Sequence, residues 1–337
     1  MTKKLQQSPP EGFSPPKFTN SGVVHIAFVL VEDFSLFALA CISEPLRVAN
    51  RMADKKLFES VLVSDEGQSV RASNGMDFNV EFAIRDCPDA YQTYIVVSGF
   101  NPLQNSSETL LGEIHRLAAV GANLGGVDTG TQILFKAGVM SGRETTMHWE
   151  SVAGFREDYP NVPVVPRRYS VDHKRIASAG GLSSLDMMLN IIWASHGHEL
   201  AAAVADQFMY GQIRSAEDSQ RMDLRARLMT TNKNLIKAVG IMEKNIASQL
   251  SIREIAQKAS VSQRELERIF SQALNVTPKR YFRHLKLERA RSLLRHSDMS
   301  VTQVSIACGF SSAAYMSTIY KQEFGTPPSR DRETPSL

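Results

Sequence analysis

The stretch Ser251-Ile-Arg-Glu-Ile-Ala-Gln-Lys-Ala-Ser-Val-Ser-Gln-Arg-Glu-Leu-Glu-Arg-Ile-Phe270 predicts two short helices separated by a tight turn. Ser251 with Glu254, and Ser262 with Glu265, have the spacing of capping boxes, in which each side chain satisfies a backbone N–H group at a helix start. Apolar residues follow each box at helical spacing, so each helix buries one face. Two such helices joined by a turn are the helix–turn–helix motif.

The same pattern recurs downstream. Ser300-Val-Thr-Gln303 is a further capping box, and Cys308-Gly-Phe310 makes the turn, where Gly309 suits a positive φ. Between the two motifs, Thr277-Pro278 begins a linking helix with proline near its first position. The apolar positions predicted for the third short helix are Val301, Val304, Ile306 and Ala307. A single motif is weak, but two in tandem predict a double helix–turn–helix domain.

The exposed residues of each second helix are candidates for DNA contact, because that helix enters the major groove. They are Gln263, Arg264, Glu267 and Arg268 in the first motif, and Ser312, Ala313, Ala314, Ser317 and Thr318 in the second. Arginine binds guanine and glutamine binds adenine, whereas small side chains suit thymine methyl groups and phosphates. Basic residues of the linking helix are candidates for phosphate contacts: Lys279, Arg280, Arg283, Lys286, Arg289 and Arg291.

Charge is distributed unevenly along the 337 residues, whose net charge is +3. Residues 233–337 hold 17 Lys and Arg against 9 Asp and Glu, a net charge of +8, and the remainder holds 21 against 26, a net charge of −5. A basic module on a slightly acidic body predicts double-stranded DNA as a partner. With promoter DNA as that partner, RNA polymerase is the expected protein partner.

Composition excludes several classes of protein. No apolar run approaches the roughly 18–20 residues that span a bilayer, and the N-terminus lacks the apolar segment of a secretory signal. The three cysteines, Cys41, Cys87 and Cys308, have no metal-binding spacing, and the eight histidines form no cluster. We therefore expect a cytoplasmic protein with no membrane contact, no metal and no cofactor.

The N-terminal two thirds alternate between apolar strand patterns and helical patterns. After a proline-containing segment, residues 1–20, that we expect to be a disordered tail, strands are predicted at Val23–Val31, Phe58–Val63, Tyr94–Ser98 and Asn123–Val127. Helices are predicted at 34–53, 104–120, 131–138 and 149–159, and the apolar helix at 180–197 is either core or a dimer face. This alternation predicts an α/β fold, a flavodoxin-like parallel sheet between helices, with ligands bound beyond the carboxyl ends of its strands.

The C-terminal hundred residues resemble the AraC-type DNA-binding domain. The resemblance covers 232–332 and is carried by Leu285-Lys-Leu-Glu-Arg-Ala-Arg-Ser-Leu-Leu294, Ala307-Cys-Gly-Phe-Ser-Ser312 and Phe324-Gly-Thr-Pro-Pro328. It implies an all-α domain with two helix–turn–helix motifs.

The part from Gly22 to Gly197 resembles the class I glutamine-amidotransferase-like domain of the PfpI intracellular proteases. The turn Gly125-Gly-Val-Asp-Thr-Gly130 matches the elbow that carries a catalytic cysteine in those enzymes, but here Asp128 and Thr129 occupy it. Glu44 is assigned to the family's glutamate position. Because aspartate lacks the nucleophilicity of a thiolate, thiol hydrolysis is not expected.

Both halves together resemble the GlxA-like branch of AraC-type regulators, and are similar to members that respond to arginine, carnitine or glycine betaine. The residues that carry this likeness are Glu44–Arg51, Asp128–Gly130, His148–Glu150, Ala179–Gly181 with Asp186, and Gln220–Leu228. The likeness implies a transcription factor, most simply an activator and a homodimer. Its layout would be a sensing domain at 21–198, a helical connector at 199–231 and a DNA-binding domain at 232–332.

The chemistry of the candidate pocket residues favours a small cationic or zwitterionic effector. Two acidic groups, Glu44 and Asp128, and aromatic faces favour a cation, while a loop with free N–H groups favours a carboxylate. The candidate ligand-binding residues are Phe34, Glu44, Gly99, Phe100, Asp128, Thr129, His148 and Trp149. Structural roles remain open as alternatives to ligand binding: Glu44 pairs with Arg47 or Arg51, Asp128 caps the next helix, and Trp149 packs at a helix start.

Two other functions stay open at this point. One is a hydrolase or amidase that carries an accessory DNA-binding module. The other is a DNA-binding scaffold whose empty α/β domain only dimerises.

Overall fold

The computed structural model describes residues 22–140, 142–172, 174–248, 250–297 and 299–331. The tail predicted for residues 1–20 lies outside them. The chain divides between Gln220 and Arg221 into two compact units, here called the α/β unit (22–220) and the helical unit (221–331). Across the described ranges, no helix is both long enough and apolar enough to cross a bilayer.

A seven-stranded sheet forms the centre of the α/β unit, in the order β5-β2-β1-β6-β7-β9-β8. All neighbouring strands are parallel except the β8–β9 pair. A small antiparallel pair, β3 with β4, stands apart from it. The strands are β1 (Val24–Leu30), β2 (Phe58–Ser64), β3 (Val70–Arg71), β4 (Asp77–Phe78), β5 (Phe82–Ala83), β6 (Thr93–Ser98), β7 (Asn123–Asp128), β8 (Tyr169–Asp172) and β9 (Arg175–Ser178).

Helices cover both faces of the sheet, so each face has its own apolar core. The central strands β1 and β6 are buried nearly throughout, which explains their continuous apolar sequence. The helices of this unit are α1 (Leu36–Met52), α2 (Glu108–Ala119), α3 (Gly130–Lys136), α4 (Val152–Asp158), α5 (Leu182–His196) and α6 (His198–Gln207). The flavodoxin-like α/β architecture and its four predicted strands are confirmed.

Three features of this unit differ from the sequence prediction, one of which is that the two-residue strands β3, β4 and β5 were not predicted. The hairpin of β8 and β9 was missed because its four-residue strands are too short to show a period. The segment 199–231 is not a separate connector, since α6 buries Ala201, Val204 and Ala205 in the same core as α1 and α5. Helix α5 is buried along most of its length, so it belongs to the core.

The described residues of the helical unit form eight helices, four of which make up the double motif. They are α7 (Leu224–Arg227), α8 (Lys233–Lys244), α9 (Ile252–Ala259), α10 (Gln263–Leu274), α11 (Pro278–His296), α12 (Val301–Ala307), α13 (Ala313–Phe324) and α14 (Pro328–Asp331). Helices α9 and α10 form the first helix–turn–helix, α12 and α13 form the second, and α11 links them. Both predicted motifs are confirmed.

The predicted helix starts are largely correct. Ser251 with Glu254, and Ser300 with Gln303, form reciprocal capping boxes. Ser262 accepts from the Glu265 N–H group, but the Glu265 carboxylate binds Arg268 instead of closing the box. Ile306 was wrongly assigned to the buried stripe of α12.

Helix α12 places the Ile306 side chain on its outer face, 70% exposed. The seven residues of α12 turn Val304 and Ser305 inward instead. Stripe assignment by spacing alone is weak in so short a helix, because one residue shifts the buried face by about 100°.

A sharp turn joins β7 to α3. Asp128 ends the strand with φ +62°, an unusual left-handed conformation for a residue other than glycine. A Cβ atom on Gly126 would lie 2.4 Å from the Thr131 nitrogen, and one on Gly130 would lie 2.2 Å from the Val96 carbonyl oxygen. The turn therefore depends on glycine at both positions, which fits the predicted elbow.

We expect Gly130→Ala to destabilise the α/β unit by about 3 kcal/mol or more, because its methyl group has no space against a strand backbone. Gly112→Ala is the matched control, since nothing lies within 4 Å of its Cβ position on α2. That change should stabilise the unit by about 0.5–1 kcal/mol. Urea unfolding followed by tryptophan fluorescence measures both, because both tryptophans lie in this unit. Equal stability of the two variants would contradict the tight packing at the turn.

Candidate functional site

A cavity of about 220 Å³ opens beyond the carboxyl ends of β7 and β9. Its walls come from the segment after β9, from the start of α5, from the loop before α4 and from the segment after α6. The lining residues are His148, Trp149, Arg168, Ala179, Gly180, Leu182, Ser183, Arg214 and Gln220. This is the edge at which ligands bind in open parallel sheets.

Two arginines in the cavity wall are held by one buried carboxylate. Asp186 is fully buried, and its Oδ2 accepts from the Arg168 guanidinium at 2.8 Å and lies 3.5 Å from Arg214 Nε. Its Oδ1 accepts from the Tyr210 hydroxyl (2.8 Å) and the Arg214 backbone N–H (2.9 Å). Asp186 thus holds two guanidinium groups together in this wall of the cavity, and Asp218 adds a second carboxylate near Arg214.

The two arginines differ in their access to solvent. The Arg168 side chain is 3% exposed and also donates to the Ser219 carbonyl, whereas the Arg214 side chain is 35% exposed. The Arg214 guanidinium donates to the Tyr210 hydroxyl at 2.7 and 2.9 Å. Arg214 is therefore the arginine of this pair that is available to an anionic group in the cavity.

Asp128 lies next to Gly180, which lines the cavity. A Cβ atom on Gly180 would be 2.7 Å from Asp128 Oδ2, so the carboxyl group packs directly against the backbone of the cavity wall. Burial, and then the charge of Glu150, raise the pKa of Asp128 to about 7. The helix α3 begins with Thr129 as its N-cap, so Asp128 is one residue too early for the predicted capping role.

His148 and Trp149 form the third side of the cavity. Burial lowers the pKa of His148 to about 4, so the imidazole is neutral at pH 7. Its Nδ1 lies 3.7 Å from a Glu150 carboxylate oxygen, and its ring centroid lies 5.6 Å from that of Trp149. Trp149 is 40% exposed and precedes α4 by three residues, so its indole ring is accessible and is not a packed helix start.

Several of the residues assigned to ligand binding lie elsewhere. Glu44 makes a bidentate contact with Arg47 (2.6 and 3.0 Å), which is the alternative that the sequence left open. This bond lowers the pKa of Glu44. Phe34 is fully buried against Phe78, so its ring offers no face to a ligand.

The loop after β6 is also occupied by contacts of its own. The Phe100 N–H group donates to the Asp33 carbonyl at 3.2 Å, and the Gly99 carbonyl accepts from the Thr129 hydroxyl at 2.7 Å. A Cβ atom on Gly99 would lie 2.4 Å from Asp33 O. The loop therefore braces the turn at Asp128, and Phe100 does not present the free N–H group that the sequence predicted.

Sequence reasoning missed the residues that give the cavity its charge and its apolar rim. Arg168, Arg214 and Gln220 come from segments without a periodic signal. Phe37, 57% exposed on α1, lies 3.4 Å from the Cβ position of Gly181, and Leu182 beside it is 40% exposed. The family likeness included Ala179–Gly181, Asp186 and Gln220, but none of them was assigned to ligand binding.

The first recognition helix, α10, exposes all four of its predicted DNA-contacting residues: Gln263, Arg264, Glu267 and Arg268. Arg268 is held by Glu265 (2.6 and 2.8 Å) and by Gln272 (2.6 Å). Gln263 donates to Glu267 at 3.0 Å. These bonds along the helix fix the direction of the side chains that a base edge would meet.

The second recognition helix has a different chemical character. Ser312, Ala314 and Thr318 are exposed and Ala313 and Ser317 are half-buried, while Tyr315, which the sequence prediction omitted, is 46% exposed. The Thr318 hydroxyl donates to the Ala314 carbonyl at 3.0 Å. On α11, Lys279, Arg280 and Arg283 are exposed, but Lys286 is buried, so its assignment to phosphate contact was wrong.

The two units together define a DNA-binding transcriptional regulator with an enzyme-like α/β domain, and comparison with known proteins agrees. Residues 255–334 match the helix-turn-helix domain model, and residues 26–194 match the DJ-1/PfpI family. The chain is 40% identical to HTH-type transcriptional regulator CdhR of Pseudomonas aeruginosa, over 90% of each chain. It is 35% identical to HTH-type transcriptional regulator GbdR of the same species, over 95% of this chain and 86% of that protein.

A crystal structure of an AraC family transcriptional regulator from Pseudomonas putida covers 55% of this chain and 99% of its own, with a TM-score of 0.50 at 23% identity, which shows a shared fold. The chain belongs to the GlxA-like branch of AraC-type transcriptional regulators, in which a DJ-1/PfpI domain accompanies the helix–turn–helix domain.

The raised pKa of Asp128 predicts a pH dependence of stability. An unfolded aspartate titrates near 3.9, so between about pH 4 and pH 7 the native α/β unit binds more protons than the unfolded chain, and its stability falls as pH rises. Relative to Asp128→Asn, we expect the wild-type free energy of unfolding to fall by up to about 1.4 kcal/mol per pH unit in that window.

Asparagine is the suitable replacement because it tolerates the left-handed backbone at this position. Urea unfolding followed by tryptophan fluorescence from pH 5 to pH 8 measures the difference. Parallel pH profiles for the two proteins would show that Asp128 titrates normally.

Proposed function

We propose that this regulator is a transcriptional activator whose α/β unit binds a small zwitterionic metabolite in the cavity at Arg214 and Trp149. The proposal rests on two accessible groups that line the same cavity: the Arg214 guanidinium, whose side chain is 35% exposed, and the indole ring of Trp149. Arginine binds a carboxylate in a fixed, bidentate geometry, and an indole face attracts an organic cation.

The charges of the site support a zwitterion over a simple cation. Asp186 is already bound by Arg168 and Arg214, and Glu44 is paired with Arg47. Asp128 packs against Gly180 and Glu150 lies near His148, and both of those neighbours line the cavity. A cationic group near Asp128 favours its ionised form, since opposite charge lowers a carboxyl pKa. Neutral His148 adds no positive charge on that side.

The size of the cavity supports a metabolite instead of a large ligand. Its volume of about 220 Å³ is below the roughly 300–1,000 Å³ of pockets that hold drug-sized molecules. Glycine betaine, carnitine and arginine, the effectors that the family likeness implies, all join a carboxylate to a cation within a short chain. A regulator of this kind acts in the cytoplasm as a homodimer that recruits RNA polymerase to promoter DNA.

The enzyme alternative has little support from the thiol groups. Cys41 is buried on α1 and its pKa is raised to about 11 by burial, so it is protonated at pH 7. Cys87 lines a different cavity, with Tyr94, near the amino ends of the strands, and burial raises its pKa as well. The elbow itself holds Asp128, so we propose that the α/β unit binds without catalysis.

Glycine betaine should stabilise the α/β unit by about 2.7 kcal/mol at a hundredfold excess over its dissociation constant. Choline, which has the same cation without a carboxylate, should have no comparable effect. Thermal unfolding of the full chain, followed by tryptophan fluorescence, measures both. Carnitine and arginine extend the panel if the betaine fails.

Arg214→Met should remove the ligand shift, whereas Arg143→Met, which removes an exposed arginine bound to Asp172, should keep it. A shift with choline equal to that with the zwitterions would contradict the carboxylate role of Arg214. Absence of a shift with every member of the panel would favour the scaffold alternative.

Arg264→Ala and Arg268→Ala should each weaken binding to promoter DNA by about 1–3 kcal/mol and relax its sequence preference, as expected for arginines that contact base edges. Lys258→Ala is the matched control, because Lys258 is an exposed cation on α9. Mobility-shift titration on specific and scrambled duplexes separates the two effects. An equal loss on both duplexes would assign the arginines to phosphates instead of bases.

A further inference from the structure

Lys286 is a buried cation of the helical unit and does not lie on the surface that would contact DNA. It lies on α11 and is 9% exposed. Its Nζ donates to the Ser248 carbonyl at 3.1 Å and to the Gly309 carbonyl at 3.0 Å. The same ammonium group lies 4.9 Å from the ring centroid of Phe282 and 6.0 Å from that of Phe310.

The two carbonyl groups belong to different helix–turn–helix motifs. Ser248 lies in the turn that leads from α8 into Ser251, the cap of the first motif. Gly309 lies in the turn of the second motif, between α12 and α13. One ammonium group on the linking helix therefore joins the entry of the first motif to the turn of the second.

These two turns are in direct contact. Gly309 has φ +64°, and a Cβ atom there would lie 2.5 Å from the Ala247 carbonyl oxygen. A side chain at this position would push the second motif away from the first. Gly309 leaves space for the two turns to approach each other, and Lys286 binds a carbonyl group of each turn.

Burial of a lysine has a cost that an apolar residue would avoid. Burial lowers the pKa of Lys286, since the charged form loses hydration. Its two carbonyl bonds and two aromatic neighbours offset part of that loss. Unlike apolar contact, which has no preferred direction, these bonds define a particular separation of the two turns.

We propose that Lys286 is a positioning residue that holds the two recognition helices at one separation, so that both halves of the operator are read together. With α10 and α13 in a fixed arrangement, binding of one helix places the other at its own half-site at high effective concentration. Without that arrangement, the second motif stays tethered by α11 but is positioned at its own half-site less often, so its effective concentration there falls.

The test uses full-length protein and duplex DNA that the wild type selects from a randomised pool. The selected site is compared with two derivatives: one with a scrambled half-site, and one with about five base pairs, half a helical turn, inserted between the half-sites. Wild type should bind the intact site at least about tenfold more tightly than either derivative, the gain expected from linked sites.

In Lys286→Met, whose motifs stay joined by α11, the preference for the intact site over either derivative should be severalfold smaller than in wild type. The affinity of Lys286→Met for the duplex with one scrambled half-site should match that of wild type. Lys286→Arg should keep the wild-type pattern, because arginine retains the cation and its donors. Lys258→Met, a matched loss of one exposed charge, should also keep it.

Two results would overturn the proposal. One is a Lys286→Met protein that retains both the tenfold preference and the sensitivity to the insertion. The other is an equal loss of affinity for the intact and half-site duplexes, which would assign Lys286 to folding alone. If Lys286→Met does not fold, Gly309→Ala, which keeps the cation but displaces the carbonyl that it holds, must show the same loss of preference for the intact site.

Discussion

The buried carboxylate of Asp186 is the contact on which the cavity wall of the α/β unit depends. It lies within α5, excluded from water, and it orients Arg168, Arg214 and Tyr210 at once. An isolated carboxylate in such a place would be costly, because burial opposes its charge. Its four donors offset that cost and hold two guanidinium groups side by side. The arrangement of this wall of the cavity follows from that one residue.

A second constraint comes from the backbone at the end of β7. Asp128 is held in a left-handed conformation between two glycines that leave no space for a side chain. In the likeness to PfpI enzymes, this turn is where a catalytic cysteine would be presented. Here the same strained turn presents a carboxyl group with a pKa of about 7 to the back of the cavity wall. In this chain the turn therefore holds a titratable carboxyl group at the position where the enzymes that it resembles would have a thiol.

The structural features that could be predicted from the sequence are those that depend on residues close together in the chain. Strand β1, the elbow at Asp128, the caps at Ser251 and Ser300, and the positive φ of Gly309 all have local signals, and the structure has each of them. The double helix–turn–helix unit followed from such signals alone. The likeness to known families supplied the pairing of that unit with a DJ-1/PfpI domain.

What could not be predicted depends on residues far apart in the chain. Arg168 and Arg214 reach Asp186 from 18 and 28 residues away, and Lys286 reaches Ser248 and Gly309 across 38 and 23 residues. No period or motif in the sequence pairs them. Glu44 was misplaced for the opposite reason, because its local partner Arg47, three residues away, outcompetes any distant site.

We propose that occupancy of the cavity and binding of DNA are coupled, so that each ligand changes the affinity for the other by the same factor. The affinity of the full chain for its selected duplex is measured with and without saturating glycine betaine, and the affinity for glycine betaine with and without saturating duplex. Linkage requires the two ratios to be equal, and we expect a shared factor above about 5, lost in Arg214→Met. Two ratios of one, with the ligand demonstrably bound, would contradict the account.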